Sequence, residues 1–137
     1  MRTITFKLSE QLENELSYKL KRRNLTDSEY ILDLIEYDLL RIDLGEGFNY
    51  NKQLNKLYDK ENKEVLLTRI GKELLRNLIQ ANGEIVSVEK LMEVSWKKDN
   101  VSIYTFRNMI KKIRDQTYYG IIKNRSNLGY AANIQTK

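Results

Sequence analysis

The chain has 137 residues, a length that suits one ordinary domain or two very small ones. Its formal net charge is +5 and its pI is about 9.3, which favours an anionic partner. Cysteine and histidine are both absent, and this excludes disulfides, thiolate chemistry, Ser-His and Cys-His pairs and most zinc sites. We therefore expect that the protein is not an enzyme and that it binds neither a cofactor nor a metal ion.

Charge and hydropathy are unevenly distributed along the chain. Residues 1–44 carry a net charge of −2, residues 45–100 carry +1 and residues 101–137 carry +6. The start, MRTITFKLSE, lacks the apolar region of a secretory signal, and no window approaches the roughly 20 apolar residues of a membrane span. The sequence therefore predicts a cytoplasmic protein that has no membrane partner and has its basic surface near the C-terminus.

The first predicted element is a strand over residues 2–8. Ile4, Phe6 and Leu8 alternate with Thr3, Thr5 and Lys7, the period of a strand with one buried face. Two helices follow it. Ser9 is the expected N-cap of the first helix, and Thr26 with Glu29 forms a capping box at the second. The order strand, helix, helix leaves the strand without a partner in its own segment.

This stretch resembles the ribbon-helix-helix family of the MetJ, Arc and CopG repressors. The segments that carry the resemblance are TITFKLSEQL, LTDSE and YILDLIEYDL. The resemblance implies that two chains pair their strands and read DNA bases with Thr3, Thr5 and Lys7. It also implies phosphate contacts at the start of the second helix, where exposed N–H groups favour an anion. The expected phosphate-contacting residues are Arg2, Thr26, Asp27 and Ser28. The alternative interpretation is an ordinary edge strand in a single mixed domain.

The middle of the chain predicts a linker and then a compact helical domain. DLGEGFNYNK contains two glycines, so residues 44–51 are the expected linker between domains over residues 1–43 and 52–135. A small hairpin is expected around an Asp59–Asn62 turn. Three helices follow, with N-caps at Thr68, Ser87 and Ser102, and Gly83 is the expected C′ residue of the first.

The last helix and the strands after it carry the basic excess. Ile103, Phe106, Met109, Ile110 and Ile113 fall on one side of the helix, and polar and basic residues fall on the other. Two strand-like runs joined by Ser126, Asn127 and Leu128 close the chain. A helix in the major groove with a hairpin beside it requires this distribution of charge.

This half of the chain resembles the OmpR/PhoB-type winged helix. The segments that carry the resemblance are LLTRIGKELLRNLIQANGEIVSVEKLMEVSW and SNLGYAANI. The resemblance implies a recognition helix and a basic wing. The expected recognition residues are Ser102, Tyr104, Thr105, Arg107, Asn108, Lys111 and Lys112, and the expected wing residues are Lys123, Arg125, Ser126 and Asn127.

The predicted fold class is mainly α with small β elements, a ribbon-helix-helix dimerisation domain joined to a winged helix domain. The predicted function is a homodimeric, sequence-specific DNA-binding transcription regulator, a repressor in its simplest form, with double-stranded DNA and a second copy of the chain as partners. Two alternatives remain open. In one, the chain is an antitoxin or plasmid-maintenance protein whose winged helix binds a protein; in the other, the winged helix contacts RNA polymerase or another protein.

Overall fold

The structure is a computed structural model that describes residues 1–97 and 101–135. The chain divides into two compact units, Met1–Leu39 and Leu40–Lys137. The first unit contains two helices, and the second contains a four-stranded sheet, three helices and a two-stranded hairpin within the described residues.

The two helices of the first unit are α1 (Glu10–Arg23) and α2 (Asp27–Leu40). Ser9 Oγ accepts the N–H of Leu12 at 3.3 Å, and Thr26 Oγ1 accepts the N–H of Glu29 at 3.2 Å. Asn24 ends α1 in the left-handed conformation, with φ of 54°. Both predicted N-caps are therefore confirmed, because each hydroxyl satisfies an amide that the helix cannot satisfy itself.

Residues 1–9 are neither helix nor strand in the single chain. Ile4 is 66% exposed and Phe6 is 57% exposed. The predicted strand over residues 2–8 is therefore not observed, because a lone extended segment has no second strand to pair its amides and carbonyls. Within residues 1–39, all of which the structure describes, Tyr30 is the one buried side chain.

The predicted linker is wrong, because residues 44–51 form part of a sheet. Strands β1 (Arg41–Gly45), β2 (Phe48–Asn51), β3 (Lys56–Tyr58) and β4 (Glu64–Val65) pair antiparallel in the order β1-β2-β3-β4. Glu46 and Gly47 form the tight turn between β1 and β2, with φ of 53° and 82°. The glycine-rich stretch is thus a hairpin turn, which requires positive φ at both central residues, and not a break between domains. The hairpin predicted around Asp59 is confirmed as β3 and β4.

Three helices pack under this sheet: α3 (Arg69–Gln80), α4 (Val88–Trp96) and α5 (Ile103–Gln116). Their predicted N-caps are confirmed, since Thr68, Ser87 and Ser102 each accept an amide from the first turn at 3.1–3.2 Å. The C-terminal end of α3 differs by one residue from the prediction. Asn82, with φ of 55°, directly follows the cap Ala81, so the C′ position is Asn82 and not Gly83.

The chain ends in the hairpin of β5 (Ile122–Arg125) and β6 (Gly129–Ala132), as predicted. The core of the second unit combines side chains from the sheet, all three helices and this hairpin, including Leu44, Leu57, Leu74, Leu91, Phe106 and Ile122. Tyr118 links the two ends of the unit: its hydroxyl donates to the carbonyl of Leu44 in β1 and accepts from Asn133 Nδ2. The four-stranded sheet is therefore an integral part of the same core as the helices.

Candidate nucleic-acid interface

Helix α5 has one buried face and one exposed polar face. Phe106, Ile110 and Ile113 are at most 2% exposed, as predicted for the apolar side, whereas Met109 is half-buried and Ile103 is 38% exposed. Every predicted recognition residue is exposed: Ser102, Tyr104, Thr105, Arg107, Asn108, Lys111 and Lys112. The sequence pattern thus identified the solvent-facing side of this helix correctly.

Helical spacing separates these exposed residues into an outer stripe and a flank. Tyr104, Arg107, Asn108 and Lys111 follow the i, i+3, i+4, i+7 pattern of one stripe. Thr105 and Lys112 lie to one side of it and line a shallow groove of about 380 Å³, whose lining also includes Asn108, Lys111 and Asp115. Ser102 has a local structural role because its hydroxyl caps the helix and contacts the Thr105 hydroxyl at 3.0 Å. The stripe is therefore a continuous exposed polar surface along α5.

The wing hairpin of β5 and β6 is attached to the segment that leads into α4. Val86 and Tyr130 exchange two backbone hydrogen bonds, at 2.8 and 2.9 Å. Gly129 makes this approach possible: its φ is 142°, and a Cβ there would lie 2.1 Å from the Val86 carbonyl oxygen. This close pairing leaves the wing turn projecting into solvent, with Lys123, Arg125, Ser126 and Asn127 all exposed.

Arg114 holds the wing against α5 instead of contributing to the exposed basic face. Its Nη2 donates to the carbonyl of Ile122 in β5 at 2.6 Å, and its guanidinium lies 4.0 Å from the ring centroid of Tyr119. The side chain is partly buried. Charge counting in the sequence did not distinguish Arg114 from the solvent-facing lysines, although its position beside Ile110 and Ile113 on the helix could have.

A groove of about 440 Å³ separates α5 from the wing. The α5 side of this groove presents Ile103 and Arg107, and the wing side presents Arg125 and Leu128. Ile103 is 38% exposed and Leu128 is 65% exposed. The sequence pattern assigns Ile103 to the buried side and Leu128 to a turn, so it identifies neither as an interface residue.

The predicted contacts of the first unit lie on exposed chain. Arg2, Thr3, Thr5 and Lys7 are exposed in the segment that lacks secondary structure. Thr26, Asp27 and Ser28 lie at the start of α2, also exposed. The Thr26 hydroxyl accepts a hydrogen bond from the Glu29 amide. The other backbone amides at the start of α2 are therefore the ones that could donate to an anion.

Two shifted ionisable groups lie outside this interface, beside the four-stranded sheet. Burial raises the pKa of the Tyr50 hydroxyl above its ordinary value. The hydrogen bonds of Arg76 to Glu73, the shorter of them 2.7 Å, raise the pKa of Arg76.

Over residues 1–97 and 101–135, no helix combines the length and apolar character that membrane crossing requires. The same residues contain no group of three or more acidic side chains placed to hold a metal ion.

Residues 40–135 have the architecture of a winged helix: a sheet, three helices and a C-terminal hairpin beside the third helix. Solved structures with this fold include DrrB, an OmpR/PhoB homologue from Thermotoga maritima, at 23% identity and a TM-score of 0.58 over 92% of this chain and 63% of that one. The DNA-binding domain of CpxR from E. coli matches at 18% identity and a TM-score of 0.56, over 67% of this chain and 94% of that one.

The DNA-binding domain of the response regulator AdeR, solved in complex with an intercistronic region, matches at 18% identity and a TM-score of 0.55. This match covers 66% of the present chain and 97% of AdeR's domain. No family model and no curated protein matches the sequence. The solved structures thus show that residues 40–135 have a winged-helix fold similar to the DNA-binding domains of these response regulators.

Proposed function

We propose that the protein is a sequence-specific DNA-binding transcription regulator that acts as a homodimeric repressor. In this proposal the winged helix contacts DNA through the outer stripe of α5, through Lys112 on its flank and through the wing. The N-terminal strands of two chains pair into a ribbon that enters the major groove as a second DNA-binding element.

The observation that carries the proposal is the exposed basic surface shared by α5 and the wing. Arg107, Lys111, Lys112, Lys123 and Arg125 are all exposed there, and Asp115 is the one acidic residue within residues 101–137. Lysine and arginine on neighbouring elements supply the phosphate contacts that dominate DNA affinity. The AdeR domain, which has the same fold, was solved with DNA, and this agrees with such a use.

The exposed apolar residues of the first unit support the homodimer. Ile4, Phe6, Leu12, Leu34 and Leu39 are between 50% and 67% exposed in the single chain. A segment of this size does not bury enough surface to be stable alone, and a second copy would cover these side chains. Pairing of two strands would also satisfy the amides of residues 2–8 and direct Thr3, Thr5 and Lys7 outward.

Two-fold symmetry of such a dimer implies a palindromic or repeated operator, and occupancy of that operator would repress by occlusion. Joining two DNA-binding elements in one chain raises the affinity, because the second contact becomes intramolecular.

The test is selection of duplexes from a random-sequence library by the full-length protein, followed by footprinting and titration over a range of salt concentrations. The double variant Lys111→Gln/Lys112→Gln should bind the selected duplex more weakly. Its log–log salt dependence should be shallower by about one unit for each phosphate that the variant no longer neutralises. The matched control, Lys52→Gln/Lys60→Gln, removes the same charge from the sheet region and should leave the slope unchanged.

Equal salt slopes for the two double variants would contradict DNA contact by α5. In that case, capture of a protein by the winged helix, as in an antitoxin, would replace the proposal. An asymmetric, unrepeated site would contradict the dimeric operator.

A further inference from the structure

A groove of about 820 Å³, here called the α3 groove, lies between helix α3 and the turn that joins β2 to β3. Glu73, Arg76 and Gln80 form its helical wall, and their i, i+3, i+7 spacing places them on one face of α3. Lys52 and Gln53 belong to the turn on the other side. The α3 groove shares no lining residue with the two grooves beside α5. It is therefore separate from the proposed DNA-binding surface.

Apolar side chains from the sheet and from α3 line the deepest part of the α3 groove. Ile42 and Tyr50 are cross-strand partners on β1 and β2, and Ile79 of α3 lines the groove with them. Tyr50 and Ile79 are each 4% exposed. The Tyr50 hydroxyl donates to Asn55 Oδ1, which ties the turn to this apolar floor. The groove thus offers a bound molecule an apolar surface that the fold itself holds in place.

The charged side chains of the α3 groove leave one positive charge uncompensated. Arg76 Nε and Nη2 both donate to Glu73 Oε2, at 3.2 and 2.7 Å, so these two charges offset each other. In the part of the chain that the structure describes, the Lys52 ammonium makes no hydrogen bond or ion pair. Burial raises the pKa of the Tyr50 hydroxyl, the charge of Arg76 lowers it and the charge of Glu73 raises it, so both charges act on the floor.

The remaining polar groups of the α3 groove add hydrogen-bond donors. Four side-chain carboxamides line it, those of Gln53, Asn55, Gln80 and Asn82. Each has an NH₂ group that donates, and the Lys52 ammonium only donates. A carboxylate only accepts, so it matches this set, and its single charge equals the uncompensated one. A phosphate monoester carries a charge of about −1.5 to −2, which the groove does not balance.

We propose that the α3 groove binds a small organic monocarboxylate, with its carboxylate on Lys52 and the carboxamides and its apolar body on Ile42 and Ile79. The groove volume falls within the range of about 300–1,000 Å³ that is typical of small-molecule sites. Burial of the apolar body supplies most of the affinity, and Lys52 selects for the acid. This site is independent of DNA binding.

The test is fluorine NMR of small acids titrated with the full-length protein. The probes are para-trifluoromethylbenzoate and its saturated analogue, trifluoromethylcyclohexanecarboxylate. At least one of them should bind with a dissociation constant of about 1 mM, the strength expected of a ligand this small. The uncharged para-trifluoromethylbenzamide has the same shape as the benzoate and should bind at least about threefold more weakly than the acid.

Two variants of the α3 groove should change the binding of the acid in opposite directions. Lys52→Gln should weaken it about three- to fivefold, because it removes the uncompensated charge. Glu73→Gln should tighten it about two- to threefold at low salt, because it frees the charge of Arg76. Both side chains lie at the surface, and circular dichroism of each variant checks that the fold is kept.

The matched controls change the same charges outside the α3 groove. Lys60→Gln and Glu61→Gln alter exposed side chains that do not line it and should leave binding unchanged. The double variant Lys111→Gln/Lys112→Gln should also leave it unchanged, and this separates the groove from general attraction of an anion to the basic face of α5.

Three results would overturn the inference: no binding of either acid, equal binding of the benzoate and the benzamide, or a loss in the α5 double variant as large as the loss in Lys52→Gln. A Glu73→Gln variant that binds the acid more weakly would overturn the assigned charges and the inference with them. None of these results bears on the proposed DNA binding, which the footprinting and salt titration test separately.

Discussion

Both units of this chain contain helices with apolar side chains at helical spacing, but the units differ in how far the described chain covers those side chains. Helix α3 buries Gly71, Leu74, Leu75, Leu78 and Ile79 within its own unit. Helix α1 has leucines at helical spacing and yet buries no residue, and α2 buries Tyr30 alone. The comparison shows that a periodic pattern predicts a face to be covered, but does not tell whether the cover comes from the same chain.

The largest expected effect comes from removing one leucine in each unit. Leu74→Ala should destabilise the second unit by about 3 kcal/mol, because it leaves a cavity in a core that the chain completes by itself. Trp96, the single tryptophan, is 9% exposed in that core, so its fluorescence during urea unfolding reports this unit. The midpoint of the tryptophan transition should not depend on protein concentration.

Leu34→Ala is the counterpart in the first unit, where Leu34 is 50% exposed in the single chain. It should leave the tryptophan transition unchanged. The unfolding of the first unit is followed by circular dichroism, and in the unmodified protein its midpoint should rise with protein concentration. Leu34→Ala should lower that midpoint. A helical transition independent of concentration would contradict cover by a second copy.

The next effect separates the two faces of residues 2–8. Phe6→Asp should raise the dissociation constant of the dimer about 100-fold or more, since it places a charge where the proposed dimer buries an aromatic ring. Thr5→Asp introduces the same charge on the opposite face of the proposed strand and should leave the dimer intact. Analytical ultracentrifugation over a wide concentration range measures both constants.

The conservative pair Thr5→Ala/Lys7→Ala sharpens this result. It should keep the dimer and abolish preference for the selected duplex, because outward side chains read bases and do not pack in the shared core. A monomeric double variant would mean that the assignment of the two faces is reversed.

A smaller effect concerns the wing, which the second unit holds with its own residues. Arg114→Lys should remove the hydrogen bond to Ile122 and the stacking on Tyr119, at a cost of about 1–2 kcal/mol. Hydrogen exchange of the wing amides should accelerate, and DNA affinity should fall with no change in salt slope, since Arg114 positions the wing without contacting phosphate. A shallower slope would instead identify Arg114 as a phosphate-binding residue.

The smallest expected effect is a gain of affinity. Glu89→Gln removes the negative charge from the groove between α5 and the wing, and should tighten DNA binding about two- to threefold at low salt. The control, Glu84→Gln, changes an exposed carboxylate that does not line the groove and should have no effect. Equal gains for the two variants would show only a general charge effect.

The sequence predicted the helices well, because their ends carry local signals. Ser9, Thr26, Thr68, Ser87 and Ser102 cap five helices as their positions indicated. The four strands between α2 and α3 were harder to predict, because their cross-strand pairing is not visible in composition or in helical periodicity. Gly45 and Gly47 signal a break by composition, and their role as a hairpin turn follows only from the pairing of Ile42 with Tyr50.

The same division holds for the interface. Helical periodicity identified the exposed polar side of α5, apart from Ile103, and the charge distribution together with the winged-helix resemblance identified the exposed basic residues of β5. Periodicity did not separate Arg114 from Lys111, nor did it show that Ile103 and Leu128 line one groove, because both distinctions depend on where the hairpin packs against the helix. Capping and amphipathic patterns act within a few residues and are therefore readable from the sequence. The tertiary structure decided which charges face solvent and which apolar side chains line the groove, because those depend on how α5 and the hairpin pack against each other.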